Sequence, residues 1–567
     1  MDSPFKDILH TNTAPSDEDC QRIRELLAGP RREAAQLTER LHSLIKELTE
    51  KRDNLNECID PHLALISPVR RLPHDVVAEI FAASLPPDRN AVIHAAESPL
   101  LLCHICQAWR ALALSTPQLW ASLHIVGPRD TPRDPHRNLR VTQPYRKGPG
   151  SLFYGYGLGP AVHHTPKLHQ INEAVAWWLA KSGGLPLSIS IVQSCVAPWE
   201  ADFSILVQTL VQYASRWQQI RIRICLGSRH PVQPLAGLLP IDVPSLETVA
   251  LEGLPSSVDE TFTAFLGANS LRSVSLTKGS SGFPFQTLPW ARLRHLLLDS
   301  SAACHTAAEG LELLRRCPNL EACALAFLAD FDDSPSPVGS AVASPFPCRM
   351  QNLRQLSVLD NLITEGTATV DFFAHLDLPN LRSLNYMTQR VEEFPIRPLL
   401  SSPQQIQRLG LKINELTSDT LIACIGLLPS LQELALCADP CHGLDTSPDA
   451  AFWIAMTPTG TVHHVLCPQL QVMKFTQVTG LPDPLLLEFI LARTESHFPE
   501  IAQLSKVHGH FSRAMVEDIV PRLDRAIAHG LDLSLEYQSR SNHYSTLQDN
   551  TPHTDGRLLS DGWWRGW

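Results

Sequence analysis

Hydrophobic residues recur along the chain with two different periods, and the change of period separates an N-terminal region from the rest. Between residues 31 and 57 they follow a seven-residue period with a second position inside each heptad. The positions are Ala34, Leu41, Leu48 and Leu55, with Leu37 and Leu44 between them. This spacing places apolar side chains on one face of a helix, as in a coiled coil. We therefore predict a coiled-coil-like helix over 31–60, preceded by a disordered segment over 1–30.

The predicted helix has a boundary signal and one irregularity. Gly29-Pro30 is expected to mark its start, and Lys51 occupies a seam position, which weakens a coiled coil. Two alternatives remain open for its apolar face. It associates with a second copy or a partner helix through 31–57, or it folds back on the residues that follow.

Residues 66–125 predict a helical module. Pro73 has no amide hydrogen to leave unpaired, so Leu72-Pro73 starts a first helix, which Pro86-Pro87 ends. Ser98-Pro99 starts a second helix and Thr116-Pro117 stops it. The apolar stripes comprise Val77, Ile80 and Phe81 in the first helix and Leu102, Ile105, Cys106, Trp109 and Leu112 in the second. Leu119 and Trp120 then precede a strand-like segment, SLHIV.

This module resembles an F-box. The family pattern is Leu-Pro, an acidic residue, two aliphatic residues and Ile-Phe, followed later by Cys-x-x-Trp-Arg and Leu-Trp. The matching residues are Leu72, Pro73, Asp75, Val76, Val77, Ile80, Phe81, Cys106, Trp109, Arg110, Leu119 and Trp120. The segment Asp88 to Glu97 is polar where the family usually carries another short apolar helix. The alternative is an ordinary helical hairpin that packs on the rest of the chain.

The resemblance implies a set of adaptor-binding residues. F-box modules bind a Skp-family adaptor, and the implied contact residues are Leu72, Pro73, Val76, Val77, Ile80, Phe81, Cys106, Trp109, Leu119 and Trp120.

From about residue 172 a different pattern begins, L-x-x-L-x-L with apolar substitutes. Its copies start at Trp217, Leu246, Leu271, Leu293, Leu320, Leu353, Leu381, Ile406, Leu431 and Leu470, mostly 22 to 29 residues apart. That interval is the period of leucine-rich repeats. The last two apolar positions of each copy are two residues apart, so they point to one face of a short strand. A strand-and-helix unit cannot bury its apolar face alone, and the units therefore stack.

The predicted strands are parallel and line one face of the stack. They are Thr248–Leu251, Ser273–Leu276, His295–Leu298, Gln355–Val358, Arg408–Leu411 and Glu433–Leu436. Helices are expected between them at 259–268, 307–316, 418–428 and 483–493, and residues 506–535 predict a helix and a last strand. The fold class is thus α/β, an N-terminal helix and a helical F-box followed by an irregular leucine-rich-repeat solenoid over 172–536. A generic α/β domain with leucine-rich strands is the alternative.

The segments between these regions are rich in turn-forming residues. Residues 127–170 contain many Pro, Gly, Arg and His and predict a linker or long loop, residues 327–350 predict an inserted loop, and 537–567 predict a polar tail. We expect the 127–170 linker to separate the F-box core from the solenoid core.

Composition narrows the class of protein. The 47 basic and 58 acidic residues give a net charge of −11, which argues against a nucleic-acid-binding protein. No apolar run is long enough to span a membrane, and the charged N-terminus lacks a signal-peptide core. The 14 cysteines have no regular spacing. We expect reduced thiols in an intracellular protein, cytoplasmic and/or nuclear.

No persuasive catalytic or metal-binding motif is present. Cys103 and Cys106 form a single C-x-x-C without a second pair, which favours a packed helix over zinc. We expect no enzyme activity, no cofactor and no metal.

The combination of modules resembles F-box-like proteins with leucine-rich-repeat tails in the expanded families of mushroom-forming fungi. That resemblance implies a substrate-recognition subunit of an SCF-type cullin–RING ubiquitin ligase, with the F-box on the Skp adaptor and the repeats on a protein substrate. The alternative is a non-enzymatic leucine-rich-repeat scaffold with no ubiquitin-ligase role. Affinity for the adaptor distinguishes the two.

Overall fold

The structure is a computed structural model of the 567-residue chain. It describes residues 4–6, 9, 14–66, 68–126, 165–192, 204–223, 233–252, 264–277, 287–298, 304, 306–328, 347–361, 368–388, 396, 399, 406–412, 417–438, 448–458, 465–478, 481–495 and 500–537. The chain divides into two compact units, Met1–Ile80 and Phe81–Trp567.

The first unit is dominated by one helix, α1, which spans Asp17–Ile66. The Ser16 hydroxyl accepts a hydrogen bond from the Asp19 amide, and three acidic residues fill the first turn, where the helix dipole favours negative charge. The prediction that the helix starts at Gly29-Pro30 is wrong, because α1 runs through Pro30 and Pro61, and residues 17–30 are helical rather than disordered. A 3-10 turn at Pro68–Arg71 follows.

The other helices within the described residues are shorter. They are α2 His74–Ala83, α3 Leu100–Ile105, α4 Gln107–Leu114, α5 Thr165–Lys181, α6 Ser204–Val211, α7 Ala307–Arg316, α8 Ala368–Ala374, α9 Ser418–Ile425, α10 Ala450–Met456, α11 Asp483–Thr494 and α12 Asp524–Ala528. Short 3-10 helices include Pro117–Trp120 and Ala264–Gly267.

The strands described in the second unit form one 14-stranded sheet and one small two-stranded sheet. In the large sheet lie β1 Ser122–Val126, β2 Leu187–Val192, β3 Trp217–Arg223, β4 Thr248–Glu252, β5 Ser273–Thr277, β6 His295–Leu298, β7 Ala322–Leu328, β9 Gln355–Asn361, β11 Ser383–Thr388, β12 Arg408–Lys412, β13 Glu433–Cys437, β14 Val472–Val478, β15 Lys506–Phe511 and β16 Asp532–Tyr537. The small sheet pairs β8 Cys348–Arg349 with β10 Leu376–Asp377.

Every pair in the large sheet is parallel, and the spatial order of its strands follows the sequence. The repeat frame sets the register, since Val249 pairs with Val274 and Leu251 with Leu276. These four side chains are buried. The predicted parallel strands on one face are therefore confirmed, and the fold is α/β with solenoid-like repeats.

Helices join many of the strands and pack side by side, α5 on α6, α7 on α8, α9 on α10 and α10 on α11. The helices predicted at 307–316, 418–428 and 483–493 are present as α7, α9 and α11. The one predicted at 259–268 is a 3-10 turn in its described part. Residues 506–511 are a strand, β15, so the helix expected to open the last segment begins later, as Val520–Leu523 and α12.

The segment that resembles an F-box, residues 66–125 (below, the F-box segment), and the repeats are not separate cores. Strand β1, the last part of that segment, pairs with β2 in full register as the first strand of the large sheet. The Trp120 ring packs edge-on against Trp178 and Trp177, with centroids 4.8 and 5.2 Å away. The predicted separation by a linker is wrong, because β1 would otherwise leave the edge of β2 unpaired. Residues 127–164 lie outside the described residues, and 165–170 already belong to α5.

A buried carboxylate holds the other end of the sheet. Asp483, at the start of α11, accepts hydrogen bonds from the Arg513 guanidinium, the Tyr537 hydroxyl and the amides of Val516 and Glu517. Burial alone raises the pKa of Asp483, but these four donors lower it more, to about 2. The cluster joins α11 to β16. Of the predicted tail, 537–567, Tyr537 is the last residue of β16 and residues 538–567 lie outside the described residues.

The contact of Trp120 with α5 yields a test of the shared core. We expect Trp120→Ala to lower the free energy of unfolding by about 3–5 kcal/mol, because it empties a fully buried site. Trp177, which is 45% exposed, is the matched control, and Trp177→Ala should cost about 1 kcal/mol. Hydrogen exchange of the β2 amides and denaturant titration measure both. Unchanged exchange in β2 after Trp120→Ala would show that the F-box segment does not support the sheet.

Asp483 predicts a pH dependence of stability. Its pKa lies below the ordinary value of 3.8, so its contribution is present above pH 4 and is lost as the pH falls toward 2. We expect Asp483→Asn to be less stable than wild type by on the order of 2 kcal/mol at pH 6, with the difference shrinking by pH 2.5. Denaturation midpoints at both pH values, with the exposed Asp524→Asn as control, measure it. An equal difference at the two pH values would contradict this assignment.

Candidate functional site

Helix α2 presents two different apolar stripes. The amide of Val77 donates to the Pro73 carbonyl, 3.1 Å away, and so closes the first helical turn. Val76 and Ile80 are 41% and 48% exposed, whereas Val77 and Phe81 are 5% and 0% exposed. Residues four apart lie on one helix face, so the exposed pair and the buried pair form adjacent stripes. The exposed pair is the surface available to a partner.

Phe81, Leu119 and Trp120, three further apolar residues of the segment that resembles an F-box, lie in a core within the second unit. The Phe81 ring lies 4.8 Å from that of Trp109, and Leu119 and Trp120 are fully buried. The Trp120 indole donates to the Ala113 carbonyl over 2.8 Å. These side chains fix the module's shape, since a buried ring cannot also meet a partner.

The structure thus sorts the ten predicted adaptor residues by exposure. Exposed are Pro73, Val76, Ile80 and Cys106; partly exposed are Leu72 and Trp109; buried are Val77, Phe81, Leu119 and Trp120.

The second predicted helix is interrupted. Cys106 has an extended backbone (φ −157°, ψ 168°) between α3 and α4, and its sulfur accepts from the Trp109 amide over 3.4 Å. The predicted continuous stripe is therefore wrong at Cys106, which caps α4. The guanidinium of Arg110 donates to the Cys103 carbonyl over 2.7 Å and bridges the break. Leu101 and Ile105 of α3 are exposed, although the sequence pattern placed Ile105 in the apolar stripe of the second helix.

The polar segment from Asp88 to Glu97 covers the first strand of the sheet. Val92 forms a bridge with His124 of β1, and the His124 amide donates to the Ala91 carbonyl. The buried Asn90 side chain donates to Ser190 and accepts from Ser188, both in β2. An ion pair between Arg89 and Glu97, 2.6 Å long, closes the segment. Where the chain departs from the F-box pattern, it seals the edge strand.

A second surface lies where the strands of the middle repeats begin. Main-chain hydrogen bonds join the residues that precede successive strands, from Arg294 to Arg272 and from Arg382 to Arg354. Glu321 stands between Arg294 and Arg354 in this ladder. Neighbouring strands are about 4.8 Å apart, so these side chains form a row. We call Arg272, Arg292, Arg294, Arg354 and Arg382 the arginine ledge.

All ledge arginines except Arg382 border a shallow depression of about 430 Å³, to which Asn319 and Asn352 also contribute. More basic than acidic side chains border this depression. Glu321 pairs with Arg294 at 3.3 Å, while the described residues offer the guanidinium groups of Arg354 and Arg382 no hydrogen-bond or ion-pair partner. The ledge is therefore locally positive on a chain with a net charge of −11.

The buried polar and thiol groups of the repeats have structural roles. Arg493 donates to the carbonyls of Met456, Leu466 and Cys467. Burial raises the pKa of Cys317 and of Cys467 to about 12, so both stay as unreactive thiols at neutral pH. Among the described residues, no group of three His, Cys, Asp or Glu side chains could hold a metal ion.

Comparison with known proteins assigns no family. No family model and no curated protein matches the chain. A crystal structure of a Bacteroides fragilis protein from a structural genomics consortium matches 65% of this chain and 71% of its own, at 13% identity and a TM-score of 0.21. A TM-score of 0.21 is too low to indicate a shared fold. None of the described helices is long and apolar enough to cross a membrane.

The arginine ledge predicts binding of acidic peptides. We expect a fluorescent oligoglutamate peptide to bind, and Arg354→Glu or Arg382→Glu to weaken binding about fivefold each, on the order of 1 kcal/mol. Binding should fall as salt rises. Arg525→Glu, a reversal of another exposed arginine, is the control in a polarisation titration. Equal affinities for all three variants would contradict a role for the ledge.

Proposed function

We propose that the chain is the substrate-recognition subunit of an SCF-type cullin–RING ubiquitin ligase. Its F-box binds a Skp-family adaptor, and through the adaptor a cullin. The observation that carries the proposal is the exposure of Val76 and Ile80 on a helix opened by Leu72-Pro73. Burying the exposed part of each side chain stabilises an interface by about 1 kcal/mol, and an exposed pair in this motif fits an adaptor contact.

The repeats are an irregular leucine-rich-repeat solenoid in this proposal. Each contributes a short parallel strand whose frame leucines are buried, with connections of varied length. A protein substrate binds on the residues that the stacking leaves accessible. The arginine ledge supplies a contact for an acidic stretch of that substrate.

The chain performs no chemistry in this scheme, and ubiquitin transfer belongs to other subunits of an intracellular complex in the cytoplasm or nucleus. Its own part is positional. Because β1 ends the F-box segment and also begins the large sheet, residues 81–126 and the repeats share one continuous sheet. A shared sheet resists bending between residues 81–126 and the repeats more than a flexible linker would.

The proposal predicts the effect of one charge. Ile80→Glu should weaken binding to a purified Skp-type adaptor by at least about 100-fold, because a carboxylate buried in an apolar interface lacks a partner. Since Ile80 is half exposed, the fold should lose less than about 0.5 kcal/mol. Ile454→Glu is the matched control, because Ile454 is an exposed helical isoleucine of α10. Calorimetric titration measures binding, and circular dichroism checks the fold.

Two outcomes would count against the ligase proposal. They are absence of binding by wild type and equal binding by Ile80→Glu and Ile454→Glu. The repeats would then be better described as a scaffold without a ubiquitin-ligase role.

A further inference from the structure

Helix α1 carries an apolar seam that is longer than the predicted segment and is exposed throughout its middle. Seam positions recur alternately every three and four residues from Cys20 to Leu65. Leu37, Leu41, Leu44, Leu48 and Leu55 are each 51–63% exposed. Helices in water owe most of their stability to burial of such a face. A 50-residue helix with an exposed seam therefore needs a partner.

We propose that the partner is a second copy of α1, packed antiparallel with Leu41 opposite Leu44 and Leu37 opposite Leu48. This pairing is symmetric, so each contact occurs twice. It overlaps nearly the whole helix. The inference does not depend on the proposed ligase role.

Lys51 decides the orientation. A parallel, in-register pair would press Lys51 against Lys51 of the second copy inside the seam, where like charges are costly. The antiparallel pair places Lys51 opposite Ala34, whose small side chain leaves room for the lysine stem to reach water. The seam therefore favours the antiparallel arrangement.

Two other irregular seam residues, Pro30 and Cys58, also favour the antiparallel register. The antiparallel register sets Pro30 opposite Leu55 and Cys58 opposite Leu27, whereas a parallel register stacks Pro30 and Cys58 each on itself. Each of the two residues thus gains an aliphatic neighbour.

The charged side chains that flank the seam contribute less than the seam residues to the choice of orientation. The antiparallel pair brings Arg40 beside Glu47 of the second copy and also sets Arg31 near Arg52. The parallel pair brings Glu47 beside Arg52. All four side chains are exposed, and such contacts contribute below about 1 kcal/mol each, so the buried seam outweighs them.

The arrangement has a geometric consequence. At 1.5 Å per residue α1 is about 75 Å long, so the two chains leave an antiparallel pair at opposite ends. Two F-box segments would then follow from ends roughly 70 Å apart.

Cysteine cross-linking in the full-length chain tests both partner and orientation. Leu27→Cys puts a thiol opposite Cys58 of the second copy. We expect mild oxidation of this variant to give a disulfide-linked dimer, with residues 27 and 58 joined in peptide mapping. The double variant Leu27→Cys with Cys58→Ser should give at least tenfold less dimer. Wild type should form no Cys58–Cys58 bond.

Sedimentation gives an independent readout. Wild type should be a dimer at tens of micromolar, and Leu41→Asp with Leu44→Asp should be a monomer whose repeats keep their circular dichroism. A Cys58–Cys58 or Cys20–Cys20 bond in wild type would overturn the antiparallel orientation. A wild-type monomer across that concentration range would overturn self-association altogether.

Discussion

Each repeat buries its frame leucines only by lying in register against the repeats on either side. Val249 and Leu251 are covered because β3 and β5 flank β4, and the same holds along the sheet. The two ends therefore need other cover. At one end residues 90–92 and β1 close the sheet, and at the other Asp483 ties β16 to α11. The F-box segment is part of what makes the repeats stable.

This dependence explains why the residues that match an F-box have two different physical roles. The core that supports β1 contains Phe81, Leu119 and Trp120. These side chains are buried, so they cannot also form a binding surface. Val76 and Ile80 lie on the neighbouring stripe of α2 and are exposed. A motif that looks uniform in sequence thus contains residues with two different physical roles, and only the exposed ones can govern affinity for a partner.

Sequence predicted the strands well because the frame repeats a simple requirement. Two apolar residues at alternate positions bury one strand face, and β4, β5, β12 and β13 all satisfy it. Strand β15 was not predicted because Gly509 replaces the second apolar residue of its strand pattern. The Phe511 ring fills the space beside Gly509, a substitution across two positions that a fixed pattern does not contain.

At the helices, local sequence signals gave the wrong boundary in one place and the wrong continuation in another. Gly29-Pro30 resembles a helix start, yet the apolar seam continues on both sides of it through Leu27 and Ala34, and α1 continues too. Cys106 continues a helical stripe in sequence, but its backbone is extended so that α4 can turn Trp109 onto Phe81. The exposure of Ile80 was not predicted either, because the sequence pattern placed Ile80 in one stripe with Val77 and Phe81, which are buried.

The exposed stripe of α2 is the proposed contact for a Skp-type adaptor. Hydrogen exchange of the full chain with and without purified adaptor measures this contact. We expect slower exchange in residues 74–83 when the adaptor is present, with β12 and β13 unchanged. Adaptor binding that leaves residues 74–83 unprotected, or no adaptor binding at all, would contradict it.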